Sequence, residues 1–398
     1  MPDTIKMLLT QLSQDLSQLS ETPSLDAQVL VAHYLEKPRS WVLAHPEVQL
    51  DTAEQSNINR AFIRLQRGEP LPFVIGHWEF YGLDFQLTPD VLIPRPETEI
   101  LVERALAWLR HHPSSTRVID VGTGSGCIGV ALTMNNPSIH VRMTDISPQA
   151  LHIARQNADR YGLSGRMDFL QADLLDGIVG QFDMICANLP YIPSPMLAQL
   201  PVAKREPRLA LDGGLSGLDL ITRLLDQAKN LLLPDGLLLL EIEASQALSL
   251  KSLAADYYQG SNVEILKDLS GNDRCIEVSL SRYIIHLCQP AEWRAAQKRG
   301  FFIDDSLETS GFIHCSQPQH VLRVASLILR GTPDLIALWI DPEKIASEIR
   351  WESVDAVLYP HIYGPINLPA VIAIAEVKPE NDGLFRSLTL PDETQAGR

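Results

Sequence analysis

VEILKDLSGNDRCIEVSL, residues 263–280, contains two β-strand patterns, 263–269 and 274–280, with only Ser-Gly-Asn-Asp between them. Four residues of turn chemistry leave no room for a helix, so the two strands are expected to pair antiparallel as a hairpin. Upstream the pattern is different. RVIDVG (117–122), VRMTDI (141–146), MDFLQAD (167–173), FDMICAN (182–188) and GLLLLEI (236–242) read as strands, and helical stretches such as SPQALHIARQNADRYG and GLDLITRLLDQAKNLL lie between them. Strands alternating with helices build a parallel sheet covered on both faces. The expectation is therefore an α/β sheet whose last strand is inserted antiparallel, which an all-parallel dinucleotide fold does not contain.

Further units flank this block. Residues 4–68 place apolar residues at helical spacing in TIKMLLTQLSQDLSQL, LDAQVLVAHYLE and TAEQSNINRAFIRLQRG, which predicts a helical bundle. VIGHWEFYGLDFQL (74–87) alternates and turns at Gly82, as a hairpin does, and LIPRPETEILVERALAWLRHH (92–112) is a Pro-rich lead into an amphipathic helix. A new unit starts near 283 with YIIHLCQPAEW and runs to YPHIYGPINLPAVIAIAEV. The expected division is a bundle at 1–72, hairpin and connecting helix at 73–112, a central α/β domain at 113–282, a small α+β domain at 283–380 and a polar tail at 381–398.

Composition narrows the function classes. The chain of 398 residues is 45% hydrophobic and 21% charged, as an ordinary globular protein is, and it has no apolar run of membrane-spanning length. MPDTIKMLLTQLSQDL is too polar for a secretion signal, and the five cysteines (Cys127, Cys186, Cys275, Cys288, Cys315) show no C-x-x-C spacing. Reduced thiols and a cytoplasmic protein are expected. The net charge of −16 disfavours direct, sequence-specific nucleic-acid binding, which relies on cations against phosphate.

VIDVGTGSGCIGVAL (118–132) sets Gly122, Thr123, Gly124, Ser125 and Gly126 at a strand-to-helix turn. Glycines there let backbone approach a ligand, and the next helix N-terminus offers free N–H groups; a tight turn needing small residues reads the same way. A dinucleotide fingerprint would want its third glycine where Cys127 stands. Asp145 ends the next strand, where a carboxylate accepts ribose hydroxyls. Glycine loop, strand-end acid and terminal hairpin together point to S-adenosyl-L-methionine rather than a nicotinamide cofactor. Asp173 and Leu174, at the third strand's end, are candidates to meet an adenine edge and face, and a helix-capping Asp173 is the alternative.

ICANLPYIPSP (185–195) then leaves its strand through an amide, two prolines and a tyrosine: Asn188, Leu189, Pro190 and Tyr191 begin the loop. Capping by Asn188 and core packing by Tyr191 would be the structural explanation. With RGEPLPFVIGHWEFYGLDFQL, LIPRPETEILVE, DVGTGSGCIG, REPRLALDGGLSGLDL and DGLLLLEI in the same order, residues 55–281 resemble the HemK/PrmC-type class I methyltransferases. That resemblance implies the seven-stranded S-adenosylmethionine-dependent fold, an N-terminal bundle that helps dock the substrate, and methylation of a glutamine side-chain amide in peptide chain release factors.

It also implies that Asn188, Leu189, Pro190 and Tyr191 hold the substrate amide, with Asn188 bordering the cofactor as well. Asn188 would be left unpaired by the protein for this purpose, and Tyr191 would pack against the amide plane. The family motif is N-P-P-Y, so Leu189 replaces a proline, and Glu243 stands where the family has glycine, a side chain that could crowd a turn. Arg95, Glu97 and Glu99 either line the site or form a salt-bridged corner, and Glu206 and Pro207 shape the following loop. A DNA adenine N6-methyltransferase is the alternative, because adenine's amine is also planar and delocalised. Residues 283–378 resemble a small bacterial family of unknown function through His286, SGFIHCSQ (Ser310, His314, Ser316) and YPHIYGP (His361, Tyr363). A distant similarity to ADP-ribosyltransferase-like folds makes Glu376 a candidate acid and the unit a nucleotide- or protein-binding module. Core histidines are the alternative, and no metal site is expected.

Overall fold

The computed structural model describes residues 4–354 and 357–388. Residues 389–398 of the expected tail lie outside the described residues. Five helices open the chain: Ile5–Leu16, Pro23–Tyr34, Arg39–Ala44, Thr52–Gln66 and Leu71–Ile75. Ile5, Leu8, Leu12 and Leu16 fall on one face of the first and build the bundle core with Leu30, Val31, Ile58 and Phe62. The expected helices are three of these five. Arg39–Ala44 and Leu71–Ile75 are too short to show a period in sequence, and all of Leu71–Ile75 is buried.

The hairpin follows as β1 (His77–Phe80) and β2 (Leu83–Gln86), and Trp78 packs against both the bundle core and the sheet core. The sheet comprises β3 (Arg117–Val121), β4 (His140–Asp145), β5 (Met167–Gln171), β6 (Phe182–Ala187), β7 (Leu232–Glu241), β8 (Asn262–Lys267) and β9 (Asp273–Ser279). Its order is β5-β4-β3-β6-β7-β9-β8, parallel except for β9, which runs antiparallel to both neighbours. The antiparallel β9 is what the 263–280 hairpin predicts, and the seven-stranded order is the class I methyltransferase arrangement that the resemblance implies.

The apolar runs feed two layers at once. Leu237 and Leu239 join the core on one face with Val118, Met184 and Cys186, while Leu238 and Leu240 join Ile119, Ile185 and Ala187 on the other. A strand buried on both faces has no polar side to show, which is why its sequence reads as continuous leucine.

The C-terminal domain holds β10 (Ile284–Cys288), β11 (Phe301–Phe302), β12 (Ile313–His314), β13 (Leu335–Ile340), β14 (Glu348–Val354), β15 (Val357–Tyr363), β16 (Ile366–Asn367) and β17 (Val371–Val377). They form antiparallel sheets β10-β13-β17, β12-β15-β14 and β11-β16, with helices Pro290–Arg299 and Pro318–Ile328 beside them. Where β9 meets β7, Cys275 pairs with Glu241 and Ser279 with Leu237. β9 therefore runs away from the C-terminal strand ends, and the extra domain is attached at the opposite rim. There Arg282 faces Asp341 at 3.5 Å and Glu343 at 3.4 Å, and Gln259 Nε2 donates to Arg386 O at 3.2 Å.

Candidate active site

The C-terminal ends of β3, β4 and β6 open into one cleft, lined by the glycine loop, Asp145, Ala172–Leu174, Asn188–Pro190 and segments of 90–98 and 207–210. In parallel sheets this is where ligands bind, because loops diverge there and helix N-termini converge. Thr123 N donates to Thr144 O at 2.9 Å, and Gly124 N donates to Asp145 Oδ2 at 2.9 Å. Asp145 Oδ1 accepts from Ser147 N, also at 2.9 Å, so one carboxylate ties the glycine loop to the next turn. Burial raises the Asp145 pKa above the ordinary carboxylate range, against these backbone donors.

Two buried residues absent from the sequence reading hold this loop from behind. Asp120 accepts from Thr123 Oγ1 at 2.6 Å and Gly129 N at 3.1 Å, and burial pushes its carboxyl to about 6. Asn157 accepts from Gln86 N at 2.7 Å and donates to Ser125 O at 2.8 Å, joining hairpin to glycine loop. A charge inside the apolar run VIDV was the available signal for Asp120. Nothing in its own helix distinguishes Asn157.

The residues expected to hold the cofactor and the substrate amide all line the cleft except Gly126 and Tyr191. Gly126 instead caps helix Cys127–Asn135 with φ 82°, and a Cβ there would meet Met143 and Ala154 at 3.0–3.1 Å. Gly122 serves a close approach of its own, since a Cβ on it would come within 2.9 Å of Leu189 Cδ2. Leu189 is thus a packing residue beneath the glycine loop. Asp173 pairs with Arg223 at 2.8 Å rather than capping a helix, and Leu174 takes a left-handed φ of 56°.

Contrary to the expectation from sequence, Asn188 is not left wholly unpaired. Its Nδ2 donates to Thr98 Oγ1 at 3.1 Å, while Asn188 Oδ1 and the Leu189 carbonyl accept no hydrogen bond among the described residues. The protein engages the amide's donor end and leaves its acceptor end. Thr98 is buried, and beside it lies Glu241, 3% exposed at the end of β7. Tyr191 turns away from the cleft against the core behind it; burial raises its hydroxyl pKa to about 12, with Glu241 adding to the rise.

The loop after Pro190 is held by the segment 206–217. Gly213 N donates to Ile192 O at 2.9 Å, and a Cβ at Gly213 would sit 2.7 Å from Pro190 O. Gln246 Nε2 donates to Tyr191 O at 3.0 Å. Glu243 crowds nothing. With φ −81° it caps the turn Ala244–Gln246, its carboxylate accepting from Ser245 N at 2.8 Å.

The PRPETE corner divides by residue. Arg95 lines the cleft and pairs with buried Glu206, which also accepts from Ile93 N at 3.0 Å. Glu99 accepts from Tyr81 N at 2.9 Å and braces the hairpin. Glu206→Ala strands a guanidinium and an N–H at once, a loss of about 2–3 kcal/mol. Thermal unfolding should show a drop in Tm of roughly 5–10 °C, and a shift below about 1 °C would refute the clamp.

In the C-terminal domain His286, His314 and His361 do gather. His286 Nδ1 bonds to His314 O at 2.7 Å, and His314 faces His361 edge-on at 5.3 Å. His361 Nδ1 pairs with Glu352 at 2.5 Å, and Tyr363 Oη donates to the same carboxylate at 3.1 Å. Glu376 is not part of the group; it pairs with Lys378 at 2.6 Å on another sheet. Ser310 ends helix Ser306–Thr309, and Ser316 makes backbone bonds to Ile285. Among the described residues no three His, Cys, Asp or Glu side chains are grouped to hold a metal ion, and no helix is long and apolar enough to cross a membrane.

Family models match this chain at residues 7–76 (PrmC N-terminal domain) and 98–203 (Methyltransferase small domain). The release factor glutamine methyltransferase of Moorella thermoacetica is 44% identical over 257 residues, which is 64% of this chain and 90% of that protein. The chain belongs to the release factor glutamine methyltransferase family. Its Escherichia coli K12 member is 36% identical over 67% of this chain and 94% of its own length. Residues 287–374, beyond the part shared with these methyltransferases, match a protein family of unknown function, DUF952. The crystal structure of CC0527 from Caulobacter crescentus is similar at 28% identity and a TM-score of 0.25, covering 26% of this chain and 92% of that one.

Proposed function

We propose that the chain methylates, in the cytoplasm, the side-chain amide nitrogen (N5) of the glutamine in the Gly-Gly-Gln motif of peptide chain release factors, with S-adenosyl-L-methionine as methyl donor. The observation that carries this reading is the 44% identity to a release factor glutamine methyltransferase over 90% of that protein's length. When bound, S-adenosylmethionine supplies an electrophilic methyl carbon on a sulfonium. The residues fit that group: Gly124 leaves backbone open toward the cleft, Asp145 has oxygens for ribose hydroxyls, and Asp173 and Leu174 stand where an adenine ring would lie.

An amide nitrogen is a poor nucleophile because its lone pair is delocalised into the carbonyl, and its N–H is too weak an acid for an initial deprotonation. Orientation is what the site can offer. With one substrate N–H accepted by Asn188 Oδ1 and the other by the Leu189 carbonyl, the lone pair is aimed at the methyl carbon. Such positioning is worth several kcal/mol, about 7–11 at its upper limit. Leucine presents the same carbonyl as proline, so the departure from N-P-P-Y leaves the acceptor pair in place. The proton leaves after methylation, when the nitrogen has become acidic.

The same acceptors would suit adenine's amine, but a net charge of −16 opposes a DNA backbone. Incubating the full chain with methyl-labelled cofactor and either a release factor or duplex DNA tests the choice. Label is expected on the factor's glutamine, and label on DNA alone would overturn the reading. For residues 283–380 the supported reading is a nucleotide- or protein-binding module, because three histidines, Glu352 and Tyr363 share one place. Calorimetry of the full chain and its His314→Ala variant against NAD tests the nucleotide form.

A further inference from the structure

An asparagine side chain has two ends of nearly the same size, and only its oxygen can accept a substrate N–H. Something must decide which end faces the cleft. Asn188 follows β6 directly, Glu241 ends β7, and Ala187 pairs with Leu240, so Asn188 and Glu241 are neighbours across the two strand ends. Thr98, from the turn Pro96–Thr98, lies beside both; it accepts from Asn188 Nδ2 at 3.1 Å. Thr98 and Asn188 stand near enough to Glu241 for their donors to favour its ionised form, and Glu241 Oε2 is buried with no hydrogen-bond partner among the described residues, free to take the Thr98 proton. Thr98 and Glu241 are 1% and 3% exposed, so water does not compete for these bonds.

We propose that Glu241, acting with Thr98, is a positioning residue that fixes the Asn188 side chain with its oxygen toward the substrate. The inference rests on the role given to Asn188 under the proposed function. A carboxylate only accepts, so the single proton of the Thr98 hydroxyl goes to Glu241, and its lone pair is left to accept. The polarity then runs one way, from Asn188 N–H to Thr98 O–H to Glu241. A flipped Asn188 would set its oxygen against a hydroxyl whose proton is already committed, and its bond to Thr98 would be lost.

The polarity depends on the charge of Glu241. Arg274 on β9, Glu97 in the Pro96–Thr98 turn, Tyr191 in the following loop, Cys275 on β9 and Cys127 at its helix start all face this carboxyl, and Arg274 is the cation among them. Burial pushes the carboxyl up to about 7. Below that pH a protonated Glu241 can donate to Thr98, which then donates to Asn188 Oδ1, so the chain reverses and the amide's donors face the substrate. Activity is therefore lost as pH falls through about 7 and is fully present above it.

The experiment is steady-state methylation of a release factor by the full chain and by Glu241→Gln, Thr98→Val and Thr98→Ser, between pH 5.5 and 8.5. Glu241→Gln, which accepts or donates with equal ease, should lower kcat about 10- to 30-fold at pH 8. It should also abolish the acid limb and leave the affinity for cofactor product within about twofold. Thr98→Val should lower kcat similarly, Thr98→Ser should restore most of it, and the Glu241→Gln/Thr98→Val pair should be no slower than Thr98→Val alone. The inference falls if Glu241→Gln keeps the kcat and acid limb of the wild type, if Thr98→Ser is as slow as Thr98→Val, or if the losses follow Tm with an unchanged pH profile. An unmodified protein that does not methylate release factors would instead sink the proposed function.

Discussion

Asn188→Ala should slow methyl transfer to a release factor about a thousandfold or more, with cofactor affinity changed by less than about threefold. Alanine removes Oδ1 and with it one of the two acceptors that aim the substrate nitrogen. The remaining Leu189 carbonyl fixes one N–H but not rotation about it, so the lone pair is no longer held on the line to the methyl carbon. Loss of the single bond costs about 1–3 kcal/mol, and loss of orientation adds to it. The residues proposed to hold the cofactor, the glycine loop and Asp145, lie at other strand ends. Because Asn188 also donates to Thr98, a Tm measurement should accompany the kinetics. Activity persisting within tenfold of the wild type would remove the amide-positioning account.

Asp145→Ala should act on the cofactor instead, weakening its binding roughly 100-fold by calorimetry, with kcat at saturating cofactor reduced far less. Two losses combine. The carboxylate would no longer accept ribose hydroxyls in charge-assisted bonds, each worth about 1.5–3 kcal/mol. The Gly124 and Ser147 N–H groups would also lose the acceptor that shapes the loop around the ligand. Asp145→Asn separates the two contributions, because its side-chain oxygen can still accept from one backbone N–H while the charge is gone. Affinity equal to wild type in both variants would take Asp145 out of the ribose role.

Much of this arrangement was legible in the chain before any tertiary contact was known. Period-two filling of two layers makes GLLLLEI a central strand, and four turn residues between 263–269 and 274–280 make the last strand antiparallel. β7 starts four residues before the GLLLLEI pattern. Pro234-Asp235-Gly236 reads as a turn, yet the strand passes through it from Leu232, with an irregular register opposite Phe182 and Met184 and a left-handed Asp235. Arg39–Ala44 escaped because a helix of six residues repeats too little of its period. The expectation that Tyr191 packs against the substrate amide rested on the resemblance to N-P-P-Y loops, and successive residues of a loop need not share a face.

The candidate site divides along the same physical line. Sequence alone determined what is local: glycines where backbone must come close, an acid at a strand end, and an asparagine followed by a carbonyl in a rigid loop. Those properties depend on a residue's own conformational freedom and hydrogen-bonding capacity, which are written in its type. Only the tertiary structure decided which end of Asn188 is free. Thr98, Asn188 and Glu241 are remote in sequence, and two strand ends and a turn bring them together. Hydrogen-bond polarity belongs to the group of three side chains, so no single position of the chain could reveal it.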